Sequence, residues 1–446
     1  MIARPIIALL LLVGLGIGTA QAVEVKRVVS PGGIEAWLVE DHRNPIIALD
    51  LSFRGGAALD PAGKEGLANM VSGLIDEGSG DLDSQAFQSR LEDLSIRLSF
   101  NAGLDTFEGT LQTLTENRDT AFELLRLALT APRFDAEPIE RIRSQVLAQL
   151  RGESENPDRI ASRTLRNLFF PEHPYGRPVN GTPETVAALQ ADDFRQFVAE
   201  RFARSNLMVG VVGDITAADL ARLLDSTFAA LPETPRDGSV ADTEPAAGGD
   251  LVVVERDVPQ SVVVFGHGGL KRDDPDYYAA YVVNYILGGG GFSSRLYEEV
   301  REKRGLAYSV YSYLNPLDHA ALVVGGVGTA NARVAESLSL IRAEWTRMAT
   351  EGPTEQELAD AKTYLTGSYP LRFSSSRRIA SMLVGMQLDD LGIDYINRRN
   401  DYIEAVTLDD ARRVAGRLYG PDALTVVVVG QPEGLEPTRP APTRDS

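Results

Sequence analysis

The sequence contains no cysteine among its 446 residues. Thiol nucleophiles, thiolate metal sites and disulfide bonds are therefore excluded. A chain of this length can bury a core large enough to hold its fold together without covalent cross-links. The length also predicts two or more domains.

Basic residues are fewer than acidic ones. The chain has 44 lysines and arginines against 63 aspartates and glutamates, which gives a formal net charge of −19. Nucleic-acid binding needs a basic surface, so a nucleic-acid partner is not expected, and attraction to an anionic membrane is disfavoured for the same reason. A net charge does not exclude a locally basic cavity or a basic peptide as substrate.

Only one long apolar run is present, from Ile6 to Ile17. Arg4 precedes it, and Ala20-Gln21-Ala22 follows it with the small-x-small pattern of a cleavage site. The run is shorter than the roughly 20 apolar residues that span a bilayer. We therefore predict a signal peptide cleaved after Ala22, which leaves a net charge of −20. The mature protein is expected to be exported, periplasmic if the cell is Gram-negative, with no stable membrane anchor.

Motifs for common enzyme chemistry are absent as well. The four histidines, His42, His173, His267 and His319, show no metal-ligand spacing and are predicted to be surface or loop residues. No G-x-S-x-G nucleophile elbow occurs, and the glycine run at 288–291 is not followed by the Lys-Ser or Lys-Thr of a phosphate-binding loop.

What the chain does contain is a repeat. A polar stretch rich in Pro, Gly, Asp and Ala separates two halves that show the same succession of strand-like runs, an amphipathic helix, paired strands, long helices and a closing β-rich run. We predict an α+β fold with two homologous halves, each a mixed, mainly antiparallel sheet packed by helices, enclosing a cleft. The expected divisions are a signal peptide (1–22), a first domain (23–230), a linker (231–250), a second domain (251–435) and a disordered tail (436–446).

One segment of the second half, "LYEEVREKRGLAYSVYSYL", combines cationic and aromatic side chains. Arg301 and Tyr308 lie seven residues apart, across a predicted helix end at Gly305. Alternation along the following strand places Tyr308, Val310 and Ser312 on one face. Arg301 and Tyr308 on one wall would form a donor pair for a peptide carbonyl, whereas the plainer interpretation is a surface arginine near a helix C-terminus.

The glycine run before this segment, Gly288, Gly289, Gly290 and Gly291, follows a predicted helix. It is explained either as a helix C-cap with a flexible connection or as a mobile, backbone-rich loop that contacts an extended ligand.

Three stretches together resemble the pitrilysin/insulysin/mitochondrial-processing-peptidase family of inverted-zinc-motif metallopeptidases. "LGGGGFSSRLYEEVREKRGLAYSVYS" is similar to the family's second-domain motif, "GLANMVSGLIDEG" stands where its zinc helix is found, and "FFPEHPYGRPVNGTPETV" is similar to its loop before the last helix of the first domain. The resemblance extends over essentially the whole mature chain.

The family's zinc helix reads G-L-A-H-x-x-E-H, with two histidine ligands, a glutamate general base and a third ligand, a glutamate, on a later helix. The matching positions here are Asn69, Ser72, Gly73 and Gln149, with Glu153 as a nearby but imperfectly placed acid. None of the four replacements can perform the family's role. The resemblance therefore implies that this chain binds no metal and is not a peptidase on its own.

The Arg/Tyr motif of the second domain is retained. The resemblance implies that Arg301 and Tyr308 bind substrate at a zinc site, here that of a homologous partner in a heterodimer, and that Gly288 to Gly291 form a substrate loop. The leading hypothesis is a non-catalytic subunit of an exported metallopeptidase, with zinc in the partner and peptide bound in extended form by strand addition. The alternatives are an inert scaffold of the same fold and a stand-alone peptide-binding protein.

Overall fold

The computed structural model describes residues 24–236, 238–246, 248–420 and 424–441. The predicted signal peptide lies outside the described residues. The strands in this part of the chain are β1 Lys26–Val29, β2 Glu35–Glu40, β3 Ile46–Arg54, β4 Arg97–Ala102, β5 Thr106–Leu114, β6 Leu207–Gly213, β7 Leu251–Glu255, β8 Gln260–Gly268, β9 Ala307–Pro316, β10 Ala321–Ala330 and β11 Thr425–Gly430.

The α-helices of the same ranges are α1 Leu67–Leu74, α2 Ser84–Asp93, α3 Arg118–Thr130, α4 Ala136–Glu155, α5 Pro157–Phe169, α6 Pro183–Ala188, α7 Ala191–Arg201, α8 Ala217–Phe228, α9 Tyr277–Asn284, α10 Val334–Glu351, α11 Glu355–Gly367, α12 Ser376–Leu388, α13 Tyr395–Glu404 and α14 Leu408–Leu418. Two π-helical segments, Tyr285–Gly289 and Tyr297–Glu302, flank the glycine run.

The two sheets have the same topology. The first has the order β1-β2-β6-β3-β5-β4 and the second has the order β7-β11-β8-β10-β9. In each sheet one pair is parallel, β2 with β6 and β7 with β11, and the remaining pairs are antiparallel. Without β1, the strands correspond one for one. The prediction of two homologous halves with mainly antiparallel sheets is confirmed.

Helix α1 lies on the first sheet through the apolar stripe that its sequence predicts. Leu67, Met70, Val71 and Leu74 are all buried in the first hydrophobic core. The backbone N–H of Ala68 donates to the carboxylate of Asp60, 3.2 Å away. This carboxylate is buried and forms an ion pair with Arg201 of α7 at 3.0 Å. A negative group at the start of a helix satisfies free N–H groups and complements the helix dipole.

Each half supplies a helix to the sheet of the other half. Helix α5 of the first half packs on β8 and β11, and helix α12 of the second half packs on β3 and β6. Leu165 of α5 is buried against Val264 and Val427. The approach of α12 is so close that a Cβ added to Gly210 of β6 would lie 2.5 Å from the carbonyl oxygen of Ala380. The exchange joins the halves through two apolar cores.

The segment predicted as a linker, 231–250, is bound to both halves along its described residues. The N–H of Ala246 donates to the carbonyl of Phe169 in the first half, and the N–H of Thr243 donates to the carbonyl of His319 in the second. Beneath it the halves enclose a cavity of about 670 Å³, crossed by an ion pair of 3.0 Å between Arg54 and Asp318. The structure thus contains the cleft between halves that the repeat predicts.

Near the C-terminus, the N–H of Thr438 donates to the carbonyl of Leu251 at the start of β7. Residues 436–441, predicted as the first part of a disordered tail, are therefore anchored at this contact, and residues 442–446 lie outside the described ranges. No helix in the described part of the chain has the length and apolar character needed to cross a bilayer.

Candidate functional site

In α1, the residues at the positions of the family's zinc motif make contacts within the helix or with the neighbouring helix α4. The hydroxyl of Ser72 donates to the carbonyl oxygen of Asn69, 2.8 Å away, so it is engaged with its own helix. Gly73 faces α4, and a Cβ built on it would lie 3.2 Å from Cγ2 of Ile142. Any side chain at this position would require Ile142 to move, because few Cβ contacts are that close.

The expected third-ligand position, Gln149, lies on the exposed side of α4. Its amide donates to the carboxylate of Glu153 at 2.9 Å, and the amide of Asn180 donates to the same carboxylate oxygen at 3.0 Å. Glu153, the nearby acid noted from the sequence, is therefore held by two neutral amides.

Two acids follow α1, and neither is suited to binding a metal. Glu77 is paired with Arg141 of α4 at 2.6 Å. Burial raises the pKa of Asp76 to about 7, so a large fraction of this carboxyl is protonated at neutral pH. Within the described ranges, no group of three or more histidine, cysteine, aspartate or glutamate side chains is arranged to hold a metal ion. The residues at this place do not fit zinc.

Arg301 lies in a cage of aromatic rings. Its guanidinium carbon is 4.7 Å from the ring centre of Tyr297, 5.2 Å from that of Tyr308 and 5.7 Å from that of Phe292. Among the described residues the guanidinium forms no ion pair and no hydrogen bond, so its donors remain available. Cation–π contacts hold the group in place without using its N–H donors.

Tyr308 is 84% exposed, and its position differs from the predicted one. The register places Val310 opposite Val327 and Ala307 opposite Thr329, so two residues of β9 face one residue of β10. This β-bulge breaks the alternation, because Val310 and Ser312 remain buried while Tyr308 projects into solvent. The prediction that Tyr308 shares a face with Val310 and Ser312 is wrong for this reason.

The glycine run has a packing role at its start and a conformational role at its end. A Cβ on Gly288 would lie 2.4 Å from the hydroxyl of Ser312, and one on Gly290 would lie 2.8 Å from the carbonyl of Tyr285. Gly289 approaches the side chain of Asn284, where a Cβ would lie 3.0 Å from the amide nitrogen. Gly291 has a φ of +55° and open space around it.

The structure does not bring the two candidate sets together within the chain. Helix α1 packs on β4, α4 and α7, whereas the segment that carries Arg301 packs on β9 and α10. Within the ranges the structure describes, no hydrogen bond or ring contact joins Asn69, Ser72, Gly73 or Gln149 to Arg301 or Tyr308.

Sequence reasoning missed Phe292 and Tyr297 as members of the site. The available signal was an aromatic residue four positions before Arg301, a spacing at which helical side chains contact each other. Phe292 had no such signal, because the turn between the glycine run and the helix brings it back over Tyr297, at a ring distance of 4.8 Å. The surface-or-loop prediction for histidines is wrong for His267, which is buried and accepts a hydrogen bond from Trp345 at 3.0 Å.

Comparison with known proteins matches two successive parts of the chain to a single family. Residues 36–183 match the family model described as Insulinase (Peptidase family M16), and residues 188–365 match the model described as Peptidase M16 inactive domain. Together the two matches cover more than half of the chain.

Individual relatives cover most of the chain. It is 30% identical to the "Non-peptidase homolog YmxG" of Helicobacter pylori over 81% of its length and 84% of that protein. It is 31% identical to an uncharacterized zinc protease of Streptomyces coelicolor over 66% of its length and 65% of that protein.

A solved structure agrees with this match. The crystal structure of a peptidase M16 inactive domain from Pseudomonas fluorescens superimposes with a TM-score of 0.85 at 28% identity, covering 93% of this chain and all of that one. Sequence models, relatives and fold all agree, and the chain belongs to the M16 peptidase family.

Proposed function

We propose that this chain is the non-catalytic, substrate-binding subunit of an exported M16 metallopeptidase. It pairs with a homologous, zinc-bearing subunit and contributes Arg301 and Tyr308 to the partner's site. The observation that carries the proposal is the aromatic cage, which holds an unpaired guanidinium beside an exposed tyrosine in a chain whose positions 69, 72, 73 and 149 lack the side chains of the family's zinc motif. The Helicobacter relative described as a non-peptidase homologue is consistent with this role.

The chemistry at Arg301 suits a peptide carbonyl or an oxyanion. A guanidinium offers several N–H donors in a fixed plane, and the phenol of Tyr308 can donate one more hydrogen bond. Donors fixed in advance stabilise negative charge as it develops, because they need not reorganise during the reaction. Positions 69, 72, 73 and 149 carry none of the side chains of the family's zinc motif, so in this proposal the zinc and the general base of the reaction come from the partner.

The test begins with the native complex. An affinity-tagged copy of the chain, expressed in its own organism, is expected to copurify with a chain that contains H-x-x-E-H, and zinc analysis should assign the metal to that partner. The tagged chain alone is expected to contain no stoichiometric zinc and to leave unstructured peptides intact.

The role of the cage is tested in the assembled complex. Arg301→Ala is expected to lower kcat/KM for peptide cleavage by about 100-fold, the scale of one lost oxyanion donor, with zinc content unchanged. The matched control is Arg304→Ala, because Arg304 lies one helical turn away and is already paired with Glu299 at 2.7 Å. That variant should cleave at the wild-type rate.

Three results would each reject the proposal in favour of another role. Chelator-sensitive cleavage by the chain alone would make it a peptidase. Unchanged turnover in the Arg301→Ala complex would make it a scaffold. Tight peptide binding without any partner would make it a stand-alone peptide-binding protein.

A further inference from the structure

A buried arginine lies in the middle of the segment that carries Arg301. Arg295 follows the turn Gly291–Ser293 and precedes the π-helical segment Tyr297–Glu302, and it is only 6% exposed. Arginine is seldom buried unless it is paired, because removing its charge from water is costly. The contacts of Arg295 therefore fix a point close to the candidate site.

Arg295 binds the junction between two helices, where α10 ends and α11 begins. Its Nε donates to one carboxylate oxygen of Glu357 at 2.6 Å, and its Nη2 donates to the other at 2.7 Å. Nη2 also donates to the carbonyl oxygen of Gly352, 2.9 Å away, the residue that ends α10 with a φ of +68°. A forked contact of this kind fixes direction as well as distance.

Glu357 is itself held in place as the third residue of α11. Its carboxylate accepts hydrogen bonds from the N–H of Thr354 at 2.8 Å and from the hydroxyl of Thr354 at 2.9 Å, which completes the capping box of this helix. Burial by itself would raise the pKa of Glu357, but the hydrogen bonds from Arg295 and Thr354 hold it at about 2. The carboxylate is therefore charged at neutral pH, and Arg295 is bound to a fixed partner.

Two rings of the aromatic cage lie close to Arg295 along the chain. Phe292 precedes it by three positions, and Tyr297 follows it by two. The guanidinium of Arg301 contacts both rings, and the rings contact each other at a centre distance of 4.8 Å. Arg295 thus holds the stretch of backbone between them, and a shift of that stretch would move both rings at once.

The backbone of this segment has an unusual conformation. Residues 297–302 are π-helical, with hydrogen bonds that span five residues, as from the N–H of Lys303 to the carbonyl of Glu298 at 3.0 Å. Single π-helical turns are rare and occur mostly at functional sites. Such a turn keeps one geometry only where its surroundings impose it, and the bond from Arg295 to α11 provides this constraint beside the apolar contacts of the buried Leu296 and Val300.

The described residues of the first half contain no equivalent of this anchor. There the helix that precedes the edge strand is α2, a regular α-helix whose buried side chains are the apolar Phe87 and Leu91. Its start is capped by Asp83, which accepts a hydrogen bond from the N–H of Ala86 at 2.8 Å. Because the two halves share their topology, the fold as such requires neither the π-helical turn nor the buried arginine.

We infer that the ion pair between Arg295 and Glu357 positions Arg301 for its role at the partner's site. The pair fixes the backbone between Phe292 and Tyr297, and these rings orient the guanidinium. Arg295 is buried and Glu357 is bound to it, so both are positioning residues that act through Arg301. The inference rests on the function proposed above and adds that the orientation of the guanidinium, as well as its presence, sets the rate of cleavage.

The test is a double-mutant cycle in the complex assembled with the zinc-bearing partner. Glu357→Gln keeps a side chain that can cap α11 but removes the charge that Arg295 binds. It is expected to lower kcat for peptide cleavage by about tenfold and to change KM by less than about twofold, because misplaced donors weaken the transition state more than the substrate complex. Combined with Arg301→Ala, the same change should have no further effect, since the pair acts through Arg301.

Two further variants separate positioning from stability. Arg295→Lys keeps a charge beside Glu357 but cannot reach both carboxylate oxygens and the carbonyl of Gly352, so it should give a folded chain with an intermediate kcat. Asp60→Asn removes one partner of a more deeply buried ion pair, with Arg201, away from the cage. It should lower the midpoint of urea unfolding at least as much as Glu357→Gln does, with kcat unchanged.

The outcomes distinguish this inference from the proposed function. Unchanged kcat in Glu357→Gln, the same loss of kcat with or without Arg301→Ala, or an equal loss in Asp60→Asn would each overturn the inference and leave the proposed function standing. Unchanged cleavage in Arg301→Ala would reject the proposed function, and the inference with it.

Discussion

At the scale of single residues, Gly73 lies directly beside helix α4, where there is little room for a side chain. The sequence shows only that a glycine replaces a histidine ligand of the family. The structure adds that a Cβ at this position would lie 3.2 Å from Ile142. Helix α1 therefore packs closely on α4 at this position, and restoring the ligand requires changing that packing.

This packing predicts the outcome of rebuilding the zinc motif. The variant Asn69→His, Ser72→Glu, Gly73→His and Gln149→Glu is expected to bind no stoichiometric zinc. It should also unfold at lower urea concentration, because overpacking a core costs about 1–3 kcal/mol. Metal analysis and urea unfolding followed by circular dichroism provide the measurements.

The control carries the same changes except Gly73→His, and it should retain most of the wild-type stability. One zinc per chain together with chelator-sensitive peptide cleavage in the four-residue variant would show that only the ligands had been lost.

At the scale of elements, the glycine run and β9 form one unit. Gly288 contacts the hydroxyl and backbone of Ser312, and the amide of Asn284 donates to the carbonyl of Ser312 at 3.1 Å. The hydroxyl of Ser312 in turn donates to the side-chain oxygen of Asn284 at 2.8 Å. These contacts fix the strand that carries Tyr308 against the segment that leads to Arg301, so the first glycine has a packing role and is not simply flexible.

The two ends of the run should therefore respond differently to alanine. Gly288→Ala is expected to lower the free energy of unfolding by about 1–3 kcal/mol, because its Cβ would lie 2.4 Å from the Ser312 hydroxyl. Gly291→Ala meets no neighbour and is limited to the strain of its positive φ, about 1–2 kcal/mol.

Hydrogen exchange in β9 distinguishes the Gly288→Ala variant from the Gly291→Ala variant. Hydrogen exchange in β9 should increase in Gly288→Ala and stay unchanged in Gly291→Ala. Equal exchange in both variants would contradict a packing role for Gly288.

At the scale of the whole molecule, the exchanged helices make each half dependent on the other. Helix α12 is encoded in the second half but covers the sheet of the first, and its Leu383 is fully buried against Gly210 of β6. Helix α5 does the reverse. We therefore expect the halves to unfold together. When one half unfolds, the sheet of the other half loses the helix that covers its apolar face.

Leu383→Ala tests this dependence. It is expected to lower the free energy of unfolding by about 2–5 kcal/mol, the cost of a cavity in a packed core. Amide protection should fall in β3 and β6 of the first half as well as in α12. Arg378→Ala, at an exposed position of the same helix, serves as the control and should change neither quantity. Loss of protection confined to the second half would show that the halves fold independently.

The sequence alone determined the features that depend on local pattern and spacing. Repeated elements predicted two homologous halves, the apolar stripe of α1 predicted its buried face, and the residues at 69, 72, 73 and 149 showed directly that the side chains of the family's zinc motif are replaced. Such features follow from periodicity and from the chemistry of individual side chains, which a linear sequence displays directly.

Tertiary structure decided the features that depend on residues far apart in the chain. These are the helix exchange, the packing of α4 against Gly73, the bulge that turns Tyr308 outward and the aromatic cage around Arg301. Each depends on which surfaces meet after folding. A β-bulge is set by the register between two strands, and an arginine's lack of a partner is known only once every neighbouring carboxylate has been placed.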